Sequence, residues 1–284
     1  MSWGDIGNAL FGGMARYGDI LALVQNSVWA GAVLGIVGGL IGVFVMQRDM
    51  AFAVHGISEL SFAGAAAALL LGVDVVTGSI VGSLIAAGLI GWLGARARDR
   101  NSIIGVLMPF GLGIGILCIS LYNGRSANRF SLLTGQIVSV QSDQLTVLIV
   151  LSAIVLVGLL LIWRPLNFDS LDPQSAAARG VPTTVVSFAF MILLGIVVAV
   201  HIIGALLVLS LLVTPAAAAM RVSTGPIAVP LLAAGFGVTA AVGGILLAIA
   251  GTLPVSPYIT TLSFLIYLVC RVIDGARRRG SVEA

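Results

Sequence analysis

Polar positions are rare along this chain and come in clusters, so the sequence reads as long apolar runs separated by short charged breaks. Residues 26–46 form the first uncharged run, closed by Arg48 and Asp49. A second run, 50–72, is interrupted by His55 and Glu59 and followed by Asp74, which marks a short turn. The third, 75–95, ends at Arg96, Arg98, Asp99 and Arg100. Further apolar runs cover 102–122, 144–163, 183–200, 202–220, 227–250 and 257–273. A helix crossing a hydrocarbon core about 30 Å thick needs roughly 20 apolar residues. Only helices and closed barrels satisfy every backbone polar group inside lipid. The pattern therefore predicts an all-α fold, a polytopic transmembrane helix bundle of about eight or nine spans. One domain covers residues 1–284.

Four segments depart from that pattern. Residues 1–24 are mildly amphipathic, with Asp5, Arg16 and Asp19, and are expected to lie at the interface. Residues 123–143 are polar and are expected to dip part-way into the protein. The stretch 164–182, from Arg164 to Pro182, is the longest polar interruption, and 274–284 form a basic tail.

Composition supports the membrane assignment. Hydrophobic residues make up 59% and charged residues 9% of the 284 residues, where a soluble domain carries about 25% charge. The chain has no lysine, so its 14 basic residues are all arginine. That excludes a Walker A loop, whose lysine reaches nucleotide phosphates, and a lysine Schiff base. The net charge of +3 is small, and the arginines sit in the breaks, which points to topology and away from nucleic acid. The clusters at 96–100, 164–179, 221 and 271–279 are expected on the cytoplasmic side, with the C-terminus inside. Cys118 and Cys270 lie far apart in apolar runs and read as small hydrophobes. No basic region precedes an apolar core at the N-terminus, so no cleaved signal peptide is expected.

Candidate chemistry sits in the interruptions. His55 and Glu59 are four residues apart, so a helix puts them on one face. Ionisable groups within lipid are expensive and mark a pathway or site. An imidazole nitrogen with a carboxylate oxygen suits zinc, manganese or iron. A structural hydrogen-bonded pair is the rival reading. Two ligands do not complete a site, and a second copy of the chain would supply two more. His201 either lines the pathway or bonds a neighbouring helix. Asp172 is expected to cap a short helix beginning at Pro173, and Gly180 to stop it. A helix supplied with both caps suits a docking element better than a plain connector. Pro215, preceded by Thr214, breaks a helical ladder and gives either a kink or a gating hinge. Small residues at 63–68 and 216–219 are candidates for close helix packing. The His-Glu-x-x-His pattern of a zinc protease is absent, which speaks against an intramembrane enzyme.

These residues also carry a resemblance. Gly39-Leu40-Ile41-Gly42-Val43-Phe44-Val45, followed by Arg48-Asp49-Met50-Ala51-Phe52, resembles the first span and exit of the permease subunits of bacterial metal-uptake ABC transporters, the zinc/manganese/iron group. Phe168-Asp169 through Asp172-Pro173 to Gly180-Val181 is similar to that family's ATPase-docking loop. Gly204 to Val208 with Leu211 to Ala217 resembles its late motif. The family's metal-contacting positions, usually an aspartate and then a histidine, fall on His55 and Glu59, so the order of nitrogen and carboxylate is reversed. Its Pro-Gly shortly afterwards is Ala63-Gly64 here. The resemblance implies a bacterial cell-membrane permease working by alternating access as a homodimer. It implies a separate cytoplasmic ATPase, an extracytoplasmic metal-binding protein, and no permanently bound cofactor. The transported ion is a divalent metal, with zinc ahead of manganese on account of the histidine. An ion-coupled secondary transporter is the alternative; Glu59 is the one carboxylate well inside a span to support it.

Overall fold

The computed structural model describes residues 24–93, 97–122, 124, 140–200, 205–250 and 254–280. The expectations for residues 1–23, for most of 123–143, and for His201 and Gly204 lie outside them. Among the described residues ten helices follow in order: α1 Gln25–Gln47, α2 Ala51–Leu71, α3 Val75–Leu93, α4 Ala97–Leu121, α5 Ser142–Leu171, α6 Pro173–Ala178, α7 Thr183–Val200, α8 Ala205–Val222, α9 Ala228–Ala250 and α10 Val255–Gly280. Among the described residues, seven are long and apolar enough to cross a membrane: α1 to α5, α9 and α10. Two shorter apolar stretches, Thr183–Ala199 and Leu207–Val222, complete the series in α7 and α8. The helical polytopic bundle expected from the apolar runs is the fold observed.

The turns show why the helices stop where they do. After α1, the Asp49 N–H meets the Met46 carbonyl at 3.4 Å and the Met50 N–H meets that of Val45 at 2.8 Å. Asp49 itself has φ 51°, the left-handed position this reversal demands, which aspartate tolerates better than most residues. Gly72, φ 71°, ends α2 in the same way, with Val73 N–H on the Ala68 carbonyl. Asp74 then opens α3 by accepting from Thr77 N–H at 2.8 Å. The short turn expected at Asp74 is present.

One boundary differs from the sequence reading. The fifth apolar run was expected to end at residue 163, but α5 continues through Arg164 and Pro165 to Leu171. Proline costs one ladder bond and does not stop a helix whose neighbours hold it. At 30 residues α5 exceeds what a bilayer core needs, so its last turns carry polar groups beyond the lipid. The basic tail is likewise helical, to Gly280.

The chain forms two compact units. One comprises Met1–Val43, Gln136–Ile149 and Ser210–Ala284. In it, α1 lies against α9 along Gly31, Gly35 and Gly39. A Cβ on Gly35 would stand 2.6 Å from the backbone of Gly237 and Val238. Pro215 deprives the Leu211 carbonyl of its helical donor, and Gly38 of α1 faces that oxygen at 3.0 Å from an imagined Cβ. Arg277 donates to the Val222 carbonyl at 3.1 Å, joining the end of α10 to the end of α8.

The other unit comprises Phe44–Gly135 and Val150–Leu209. Here α2 packs between α3 and α4, and α7 packs on α3. Gly64 of α2 meets Gly78 and Gly82 of α3 backbone to backbone, and Gly111 of α4 meets the backbone of Glu59 and Leu60. Lipid gives helices no hydrophobic reason to associate, so such close approach between small residues takes over that role. Ser61 and Ser79 add a buried hydroxyl pair at 2.7 Å. Cys270 is buried, as its apolar setting suggests, and Cys118 is half-buried; neither forms a disulfide.

Candidate functional site

Helix α2 is closed on nearly every side. From Ala53 to Ser61, His55 and Glu59 are the two positions not fully buried. With Phe52 and Phe62 they form one stripe at helical spacing. Their side chains keep 33% and 13% of their exposure. His55 Nε2 stands 3.8 Å from Glu59 Oε1, near enough to share an ion and too far for a hydrogen bond. His55 Nδ1 is buried and has no hydrogen-bond partner among the described residues. The imidazole and the carboxylate thus stand side by side, half-buried, on one stripe of α2. Among the described residues no three His, Cys, Asp or Glu side chains gather into a complete metal site.

The second cluster is built around α6. Asp172 is its N-cap, and its carboxylate accepts from Gln174 N–H at 3.1 Å, Ser175 N–H at 3.0 Å and the Ser175 hydroxyl at 2.6 Å. Pro173 opens the helix, and Gly180, φ 81°, closes it, with Val181 N–H on the Ala176 carbonyl. Asp172, Pro173 and Gly180 are exposed, and Ala176 is buried beneath them. Phe168 receives the Arg179 guanidinium over its ring at 5.6 Å. The capped element expected over 172–180 is thus formed, and its outer face is free.

Asp169 is different. It is 2% exposed and pairs with Arg48 at 2.7 Å, so it lies beneath the surface. Arg48 also donates to Ser170 at 3.2 Å and to Ser187, which itself donates to Asp169 at 3.3 Å. The guanidinium lies 5.9 Å from the Phe190 ring centre. Removing one partner of such a buried pair costs about 3–5 kcal/mol. Sequence reading took Arg48 only as the end of a span and passed over Ser170 and Ser187. The available signal was Ser187, the one polar residue of α7 after its opening Thr183-Thr184.

Hydrogen bonds from the Ser175 hydroxyl, then from backbone N–H groups, hold the Asp172 carboxyl below its ordinary value. A carboxyl depressed on folding contributes above its unfolded pKa, and that contribution fades as pH falls through the folded value. The cap should therefore be intact across neutral and mildly acidic pH. Asp172→Ala should fray α6, while Asp172→Asn, which caps without charge, should keep most of it. Protease susceptibility of the 172–180 segment in each variant measures this.

A helical multi-pass membrane protein with no nucleotide-binding loop, an ionisable pair inside one span and a doubly capped surface helix is, as a class, a membrane-embedded transport subunit. More particularly, the chain belongs to the ABC 3 transport family, whose sequence model matches residues 21–274. It is 31% identical over 225 residues to the manganese transport system membrane protein MntC of Halalkalibacterium halodurans, covering 78% of this chain and 77% of that one. It is 28% identical over 259 residues to the manganese import system permease protein ScaB of Streptococcus parasanguinis, covering 90% and 92%. Among solved structures, PsaBC from Streptococcus pneumoniae in complex with Fab superposes with a TM-score of 0.80 at 27% identity, over 90% of this chain and 95% of that one. The protein is a multi-pass cell-membrane transport component and not an enzyme.

Proposed function

We propose that this chain is the permease of an ATP-binding-cassette importer that carries manganese(II) into the cytoplasm by alternating access. The observation that carries the reading is the His55–Glu59 pair, left half-exposed on its stripe of α2 while the other residues from Ala53 to Ser61 are buried. A bare ionisable pair facing hydrocarbon would be costly, so that stripe faces a polar path or a partner. A second copy related by a two-fold axis would bring two nitrogens and two carboxylates to one cation, and complete a site that one copy half-builds. Histidine alone tilted the sequence reading toward zinc, and the relatives give that tilt no support. Glu59 supplies the harder oxygen ligand that manganese accepts readily, and the similar MntC and ScaB are named for manganese. His201 stays a candidate lining residue, and Thr214 with Pro215 a candidate hinge.

The driving force comes from outside the chain. The capped helix α6, with Asp172, Pro173 and Gly180 exposed, is the docking element for a cytoplasmic ATPase, and Phe168 braces it through Arg179. An extracytoplasmic binding protein delivers the ion. Membership in an ABC family weighs against gradient-driven secondary transport. The test is manganese(II) uptake into proteoliposomes holding the chain with its ATPase. Uptake should require ATP and should exceed zinc(II) uptake under competition. Uptake by the chain alone, driven by an ion gradient, would refute the proposal.

A further inference from the structure

We propose that Arg48 is a positioning residue that couples the ATPase-docking helix to the helix bearing His55 and Glu59. The inference rests on the permease reading above. Its basis is where the ion-pair cluster sits. Asp169 and Ser170 lie in the last turn of α5, three and two residues ahead of the Asp172 cap. Ser187 and Phe190 lie in the first two turns of α7, just past Gly180. The two flanks of the docking segment therefore close on a single guanidinium.

That guanidinium belongs to the turn that opens α2. Arg48 precedes Ala51 by three residues and His55 by seven, about two helical turns. The turn has little slack. Its backbone is locked by Asp49 in the left-handed conformation and by the Met50 to Val45 bond of 2.8 Å. A displacement of the docking segment pulls on Arg48, and a locked turn passes that pull to the start of α2. Arginine suits the task because its planar fork holds several acceptors in fixed directions, where lysine offers one mobile point of charge. Side-chain packing strengthens the joint from below: Phe44 meets Trp163 of α5 and Phe190 of α7 edge-on, with ring centres 5.0 and 6.1 Å apart.

The test uses the full complex of permease and ATPase in proteoliposomes and reads manganese ions moved per ATP hydrolysed. Arg48→Gln should leave the ATPase bound and hydrolysing while the ratio falls about tenfold. A ratio at the wild-type level in an assembled Arg48→Gln complex would overturn the proposal. Should that variant fail to assemble, Arg48→Lys and Ser187→Ala decide it. Each should lower the ratio severalfold, and a wild-type ratio in both refutes the coupling role. A purely structural role would change the amount of complex and leave the ratio alone. The two readings fail separately. ATP-independent uptake by the wild type would retract the permease reading, whereas ATP-dependent uptake with normal ratios in the variants retracts only the role of Arg48.

Discussion

Manganese uptake by cells carrying Glu59→Ala is expected to fall at least about 100-fold, since even groups that merely support metal ligands are worth 10–100-fold in affinity or activity. His55→Ala should do the same. On the proposed two-fold site, each removes half of what one copy offers the cation, and the second copy doubles the loss. Glu59→Gln is the sharper variant. It keeps the size and the hydrogen-bonding capacity of the side chain and removes only the charge, so a pair that merely holds helices together would tolerate it. A ligand would not. The double change His55→Asp with Glu59→His restores the order usual in the resembling family, and should recover much of the uptake that either single change loses. Normal uptake in both alanine variants would remove the pair from the transport path.

The second large effect concerns packing. Gly64→Leu is expected to abolish accumulation of folded protein, and Gly64→Ala already to cost about 3 kcal/mol, the upper end for overpacking. A Cβ on Gly64 would stand 3.0 Å from the Cα of Gly82, and would run into the Gly78 carbonyl oxygen. These are backbone atoms with no rotamer to retreat into, so α2 and α3 would have to part. Gly88, also on α3, has open space around it. Gly88→Ala should be neutral or stabilising by up to about 1 kcal/mol, from helix propensity alone. Thermal unfolding of the detergent-solubilised variants compares the two. Equal stability of Gly64→Ala and Gly88→Ala would show that the crossing at Gly64 is not tight.

Much of this was legible in the sequence, for local reasons. Charged breaks locate helix ends because lipid admits so few charges. Gly72 with Asp74, and Asp172 with Pro173 and Gly180, spell out turns whose chemistry lies within a few residues. The His55–Glu59 pair shows because four residues is one helical turn. What stayed hidden is long-range. Arg48 and Asp169 are 121 positions apart in the chain, and nothing in either neighbourhood announces the other. The run of α5 past Pro165 depended on neighbours that keep the helix going. Nor could composition say which of 36 glycines mark crossings. A span apolar on every side carries no stripe to show which face meets protein and which meets lipid. Gly64 and Gly88 look alike until the fold separates them.

The contacts of α2 have a kinematic consequence. Gly64 rests on the backbone of α3, and Gly111 of α4 rests on the backbone of α2 at Glu59 and Leu60. A helix gripped by main chain on two flanks cannot roll about its axis, because rolling would drive side chains into the places that only hydrogen atoms now fill. It has lost that degree of freedom. Under the alternating-access proposal, His55 and Glu59 turn from one side of the membrane to the other only with α2, α3 and α4 swinging together as a block. The stroke that proposal requires is a movement of mass shared by three helices, and not the twist of a single rod.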